Sequence, residues 1–427
     1  MQNSISFPTQ LVLLAAFLLP TTSLGTEQNW TEFRGSHGNG QAAENTVATR
    51  WDESNHVEWK TAIPGKGWSS PVIWDNQIWV TTASEDGKEM SAICVDKRTG
   101  EIIHNILLFT NEAPRFCHPT NSYASPTPAI EAGRVYVHFG SYGTACLDTQ
   151  SGDVLWQRRD LECDHWRGPG ASPVISGDHL IVPYDGFDRQ FIVAFHKDDG
   201  RTAWRKNRNI DYRSENGDFR KAYCTCTVIK HAGRSELISP SAAETISYNP
   251  QTGEEYWRVR HGGMNAATRP LFADGLLYIT IGDAIGKTKS SLLAIRPGGR
   301  GNVTESHVAW SQSKGASKRP SPLVIGDLLY MISDDGVASC VDCKTGDFVW
   351  RKRLGGNFRA SPISSGNRIY AFDLDGVCHV FKAGPEFELL KKNELDHGCQ
   401  ASAAVSGNQL IVRTTKHLYS IKPQPQR

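Results

Sequence analysis

The sequence predicts an all-β, eight-bladed propeller of four-stranded antiparallel blades, on three observations. First, a polar turn with glycine four positions ahead of tryptophan recurs as "DTQSGDVLW", "HKDDGRTAW", "NPQTGEEYW" and "DCKTGDFVW", ending at Trp156, Trp204, Trp257 and Trp350. Second, strand-like runs opening on Ser-Pro or a variant begin at Ser69, Ser125, Ala171, Cys226, Thr268, Pro320, Ala360 and Ala401. They lie roughly 40 to 57 residues apart, the period of propeller blades. Third, within each copy apolar residues alternate with period two and break at Gly-Asp, Gly-Asn or Asp-Gly pairs, which signal hairpins.

Taken in chain order, residues 1–25 read as an export leader. "LVLLAAFLLP" is an apolar core too short to span a bilayer, and Ser23 and Gly25 supply small residues for cleavage, although "MQNSISFPTQ" carries no Lys or Arg. Thr26 stands where a bacterial lipid anchor would need cysteine, so a soluble periplasmic or secreted protein is expected, with no transmembrane segment or lipid anchor. Residues 26–55 lack periodicity and read as a surface-wrapping arm. "HVEWKTAI", residues 56–63, has the outer-strand pattern with Trp59 but no blade before it. The last copy ends at "KHLYSIKP" without a fourth strand, so residues 56–63 are expected to complete it and close the ring across residues 56–422, leaving 423–427 as a tail.

Residues 320–353 show what a single blade contains: "SPLVIG", "LLYMIS", "VASCVD" and "DFVWRKR" are its four strands. In the last turn Asp342 is expected to accept backbone hydrogen bonds and Gly346 to take a positive φ. Trp350, on the outermost strand, is expected to fill the widening gap between blades.

Composition narrows the function classes. With 46 basic and 45 acidic residues the net charge is +1, which supplies no field for nucleic acid or an anionic membrane. Of the ten cysteines, Cys94, Cys146 and Cys340 share one repeat position and read as small buried hydrophobes.

The repeat Asp-x-x-[Ser/Thr]-Gly-x-x-x-Trp, the Ser-Pro strand starts and the period in the forties resemble the pyrroloquinoline-quinone-type, quinoprotein-like β-propeller family. "NWTEFRGSHGNG", "NSYASPTP" and "DGFD" resemble an exported bacterial subfamily of it, similar to the propeller lipoprotein of outer-membrane barrel assembly. The resemblance implies one of two activities: a scaffold that binds protein or polymer, or a dehydrogenase using pyrroloquinoline quinone and calcium. The sequence departs from the dehydrogenases. Their adjacent cysteine pair is replaced by Cys224 and Cys226, one residue apart, no Cys-x-x-Cys-His is present, and no calcium-ligand motif matches.

In a propeller, the loops into the inner strands and between the second and third strands meet at one channel mouth. They contribute His118, Asn121, His165, Arg167, Arg220, Arg269, Arg319, Arg359 and His397, with Asp185, Asp188 and Asp283. Five arginines near five consecutive strand starts would favour a carboxylate, phosphate or sulfate ligand. Cys117, His118, Cys163, His165, His397 and Cys399 are metal-ligand types, but their spacing is long and no metal is expected. Ser122, His118 and Asp188 supply the residue types of a hydrolytic triad without its motif. The leading expectation is a non-enzymatic binder of a protein or a polymeric, anionic ligand. The alternative is a quinone-dependent dehydrogenase, or another small-molecule enzyme using the polar mouth.

Overall fold

The computed structural model describes residues 29–42, 46–284 and 289–423; the leader expected over residues 1–25 and the last four residues of the tail lie outside the described residues. Eight antiparallel sheets follow one another along the chain. Blade 6 is typical: Leu323–Ile325, Leu328–Ile332, Val337–Asp342 and Phe348–Arg353 run from the channel outward. The last blade takes its first three strands from the C-terminus and its outer strand, Val57–Ala62, from the other end of the chain, paired antiparallel with His417–Ile421.

The repeated glycine and tryptophan belong to one clasp. Asp342 accepts from the N–H groups of Lys344 and Thr345 at 2.8 and 2.9 Å, and Gly346 has φ of 75°. A second reason for glycine lies in the preceding blade: a Cβ at position 346 would sit 2.6 Å from the Trp310 indole. That indole donates its N–H to the Cys343 carbonyl in the same turn, at 3.0 Å. The pattern repeats around the ring. Trp59 donates to Lys97 O at 2.9 Å, Trp156 to Lys197 O at 2.7 Å, Trp204 to Pro250 O at 3.2 Å and Trp350 to Gly384 O at 3.0 Å. Each indole therefore fills the gap to the next blade and satisfies a turn carbonyl there.

Three gaps are closed differently. Between blades 1 and 2, His104 stands where the tryptophan would, stacked on Trp79 with centroids 5.8 Å apart and lying against Gly152 of the next turn. Trp257 turns its N–H onto the buried Glu236 of its own blade, and Gly301–Asn302 from blade 5 adds a parallel strand beside it. Between blades 7 and 8, Trp51 stacks on Tyr370 and Phe372, with centroids 6.3 and 6.2 Å away.

The inner strands are joined by a second repeated bond. The residue ahead of the strand-opening proline, or its stand-in, is a serine or threonine in seven blades and Arg269 in blade 5. Each hydroxyl accepts the backbone N–H of its counterpart one blade earlier: Ser70 to Thr127, Thr127 to Ser172, Ser172 to Thr225, Arg269 to Ser321, Ser321 to Ser361, Ser361 to Ser402 and Ser402 back to Ser70, all at 2.9–3.1 Å. The step from Thr225 to Arg269 lacks the bond because arginine has no acceptor.

The first part of the arm does not wrap the surface: residues 30–42 run through the channel, where they meet backbone groups on the open inner-strand edges. Trp30 bridges to Ile73, Thr31 O accepts from Ile130 N, and Gln41–Ala42 lies parallel to the inner strand of blade 7. Arg269 donates to Phe33 O and pairs with Glu32 at 2.8 Å. Arg34, fully buried, donates to the carbonyls of Pro322, Asn39 and Pro362 at 2.7, 2.9 and 3.1 Å. Gly38 is required by this docking: a Cβ there would lie 2.3 Å from the Arg269 guanidinium.

Two stability outcomes follow. Trp204→Ala should lower unfolding free energy by about 3–5 kcal/mol, and Trp204→Phe by less, because a ring still fills part of the gap and Pro250 O keeps its bond to His179 Nδ1 at 3.2 Å; urea midpoints at constant m-value measure both. Glu32→Gln, which leaves the Arg269 charge buried without a counterion, should cost about 3–5 kcal/mol in the same assay.

Candidate functional site

Because the arm fills the channel below, its upper end is a blind cavity of about 180 Å³ with Phe33 at its base. Six of the ring hydroxyls line its wall: Ser70, Thr127, Ser172, Thr225, Ser361 and Ser402. Each oxygen already accepts a backbone N–H, so what it retains for a ligand is chiefly its proton. His118, Asn121, Arg167, Arg319 and Arg359 stand around the opening, with Trp68, Tyr223 and Gln400.

The structure thus brings five of the sequence-derived residues to one volume. Asn121 is a brace as much as a wall, donating to the carbonyls of Arg167 and Pro169 at 2.8 and 3.1 Å and tying the loops of blades 2 and 3 together.

The other seven go elsewhere. His165 is packed beneath the loop against Tyr184, and burial pushes its pKa down to about 4. Asp185 is locked in a buried ion pair with Arg208 at 2.7 Å and accepts from Ser241. Asp188 accepts the backbone N–H of Asp164 at 2.7 Å. Arg220 lies in a separate groove beside Arg213 and pairs with Glu215 at 2.9 Å. Arg269 is held by the arm. Asp283 pairs with Lys318 at 2.8 Å, and His397 stacks on His417. One reason accounts for all seven: loop position gives the face of the propeller, while direction is set by the nearest counter-charge or hydrophobic pocket.

Neither the triad nor the metal grouping forms. The Ser122 hydroxyl bonds to Ser125 and the His118 Nδ1 to Thr120. Among the described residues no three His, Cys, Asp or Glu side chains gather as ligands. Cys163 and Cys399 are buried in separate cores and Cys117 is half-buried. Cys94, Cys146 and Cys340 are buried and unbonded, as their repeat position predicts.

The charge at the mouth is unbalanced. Arg319 pairs with Asp334, while Arg167 lies 3.7 Å from Asp218, which also pairs with Lys221. Arg359 has no ion pair or hydrogen bond among the described residues; burial, then the neighbouring Arg319, lowers its pKa. Burial also lowers the pKa of His118, followed by the fields of Arg167, Arg359, Arg319 and Lys221.

Fold and repeats define the class: a propeller of the pyrroloquinoline-quinone type. Residues 40–182 and 303–414, more than half of the sequence, match the family described as outer membrane protein assembly factor BamB, and the chain belongs to that family. A search of curated proteins found no match. Among solved structures, BamB from Moraxella catarrhalis aligns with a TM-score of 0.59 at 15% identity, covering 86% of this chain and 99% of that one. A europium-containing methanol dehydrogenase aligns at 0.65 and 10% identity, covering 91% and 90%. The quinohemoprotein alcohol dehydrogenase from Comamonas testosteroni aligns at 0.62 and 13%, covering 94% and 82%. At these identities the likeness is one of fold.

Cys224 and Cys226 are buried and form no disulfide, and among the described residues no group of three or more His, Cys, Asp or Glu side chains gathers at the mouth.

The pH dependence of the mouth follows from His118. Burial and the neighbouring cations lower its pKa from the ordinary imidazole value, and an anion bound beside it would raise it, so binding takes up a proton. Anion affinity should therefore rise as pH falls from about 8 toward about 5, and His118→Gln should flatten the profile; calorimetric titrations in buffers of different ionisation enthalpy measure the proton uptake.

Proposed function

We propose that this protein is an exported propeller that binds its ligand without transforming it, and that the ligand presents an anionic group to the channel mouth. The observation that supports this reading is Arg359, a half-buried guanidinium without an ion pair among the described residues, facing the same cavity as Arg167, Arg319 and His118. The carboxylate whose field reaches it, Asp334, is already engaged by Arg319, so an incoming carboxylate or sulfate would relieve a charge that is only partly compensated. The ring hydroxyls supply further donors to such a group. The rigid frame favours binding: clasped blades hold the loops at fixed separations, which lowers the ordering cost on association. Export rests on the leader-like residues 1–25. Among the described residues no helix is long and apolar enough to cross a membrane.

Isothermal titration with citrate and with inorganic sulfate tests the reading. Saturable binding is expected, weakening with added salt. Arg359→Ala should remove about 1.5–3 kcal/mol of charge-assisted hydrogen bonding, at least tenfold in affinity. Absence of binding by both anions, or full affinity in the Arg359 variant, would contradict it.

A further inference from the structure

A row of aromatic rings beside the cavity is left unused by anion binding alone. Phe116 and Trp166 are 55% and 44% exposed, with ring centroids 5.8 Å apart. The row continues outward from Trp166 to Phe187 at 5.4 Å, and inward from Phe116 to His118 at 6.4 Å, where the cavity begins. Other exposed apolar side chains, such as Leu107, Leu155 and Leu389, lie on outer strands at the circumference.

The backbone fixes this display. Trp166 has φ of 56°, a region that bulky residues avoid. Arg167 N–H closes a tight turn around it onto His165 O at 2.5 Å, and Trp166 N–H donates to Asp164 Oδ1 at 2.7 Å. The turn leaves the indole in solvent while the next side chain, Arg167, lines the cavity.

We propose that shelf and cavity form one extended site for an acidic polysaccharide. Sugar rings would lie on Phe116 and Trp166, and one carboxylate or sulfate would sit among Arg167, Arg319 and Arg359. The proposal rests on the anion-binding reading of the same mouth and extends it outward. A sugar ring has a flat apolar C–H face and a polar rim; an exposed indole matches the first, and Asn121, Thr120 and Gln400 match the second. The cavity, at about 180 Å³, falls below the roughly 300–1,000 Å³ of pockets that enclose a whole drug-sized ligand, and suits one unit of a longer chain. An acidic peptide also meets arginine clusters, but its carboxylates leave the exposed rings of Phe116 and Trp166 without a partner, whereas a sugar ring covers them.

Titration of the full protein with short oligogalacturonates, neutral dextran, poly-glutamate and citrate tests this. Oligogalacturonate should bind at least tenfold more tightly than poly-glutamate or citrate, and neutral dextran should not bind. Trp166→Asn, chosen because asparagine accepts the left-handed backbone, should cut oligogalacturonate affinity roughly tenfold while citrate affinity stays unchanged. Phe116→Ala, on a different loop, should do the same, with thermal midpoints confirming that both variants fold. Poly-glutamate binding as tightly as oligogalacturonate would assign the site to a protein partner. Full oligogalacturonate affinity in both folded variants would remove the shelf from the site. Either result with citrate binding intact overturns the polysaccharide and leaves the anion site standing, whereas loss of citrate binding in the unmodified protein defeats the mouth reading itself.

Discussion

The contact on which the rest depends is the indole laid over a glycine turn of the next blade. A propeller blade widens outward, so neighbouring sheets part at the rim and something large must fill the wedge. Tryptophan does this with area and, through its N–H, with direction: the bond to a turn carbonyl fixes how far each blade rotates against its neighbour. Where the turn is replaced, in blade 5, Trp257 goes to Glu236 and an added strand takes over the gap; Trp51 and His104 serve at two others. These exceptions show that the gap needs closing and that more than one solution serves.

Angular spacing set at the rim fixes the centre. There the hydroxyl ring repeats the same blade-to-blade step with a short bond, and its one irregularity, Arg269, is where the N-terminal segment docks. The buried guanidiniums of Arg34 and Arg269 are held by carbonyls, the Thr227 hydroxyl and one carboxylate drawn largely from distant parts of the chain, with Arg34 Nε left unpartnered among the described residues. Plugging the lower channel turns a pore into a cup, and the cup collects cations from loops that share no sequence proximity. Rigid surroundings keep Arg359 near Arg319 despite their repulsion.

Much of the architecture was legible in the sequence because propeller repeats announce themselves by period, by turn chemistry and by a large aromatic at a fixed offset. The choice of Gly346 was half legible: its positive φ follows from the turn, but the indole above it belongs to another repeat. The arm was not legible, since residues 30–42 carry no periodicity; "RGSHGNG" hinted only at close backbone approach, which Gly38 against Arg269 explains. At the mouth, the rule that loops gather on one face found His118, Asn121, Arg167, Arg319 and Arg359. It could not foresee that Asp185 would prefer Arg208, or that His165 would turn inward, because those choices are decided by burial and by partners far apart in sequence. The hydroxyl ring was within reach of the sequence: serine or threonine ahead of the proline or its stand-in recurs in seven copies, a preference that a strand start alone does not require.

The plugged channel presents a cationic cup closed by Phe33, and anomalous diffraction from crystals grown or soaked with selenate is the decisive measurement. A selenium peak is expected within hydrogen-bonding distance of the Arg359 guanidinium, above an ordered residue 30–42 segment. A peak confined to the outer groove near Arg220, or an open channel with that segment displaced, would contradict it.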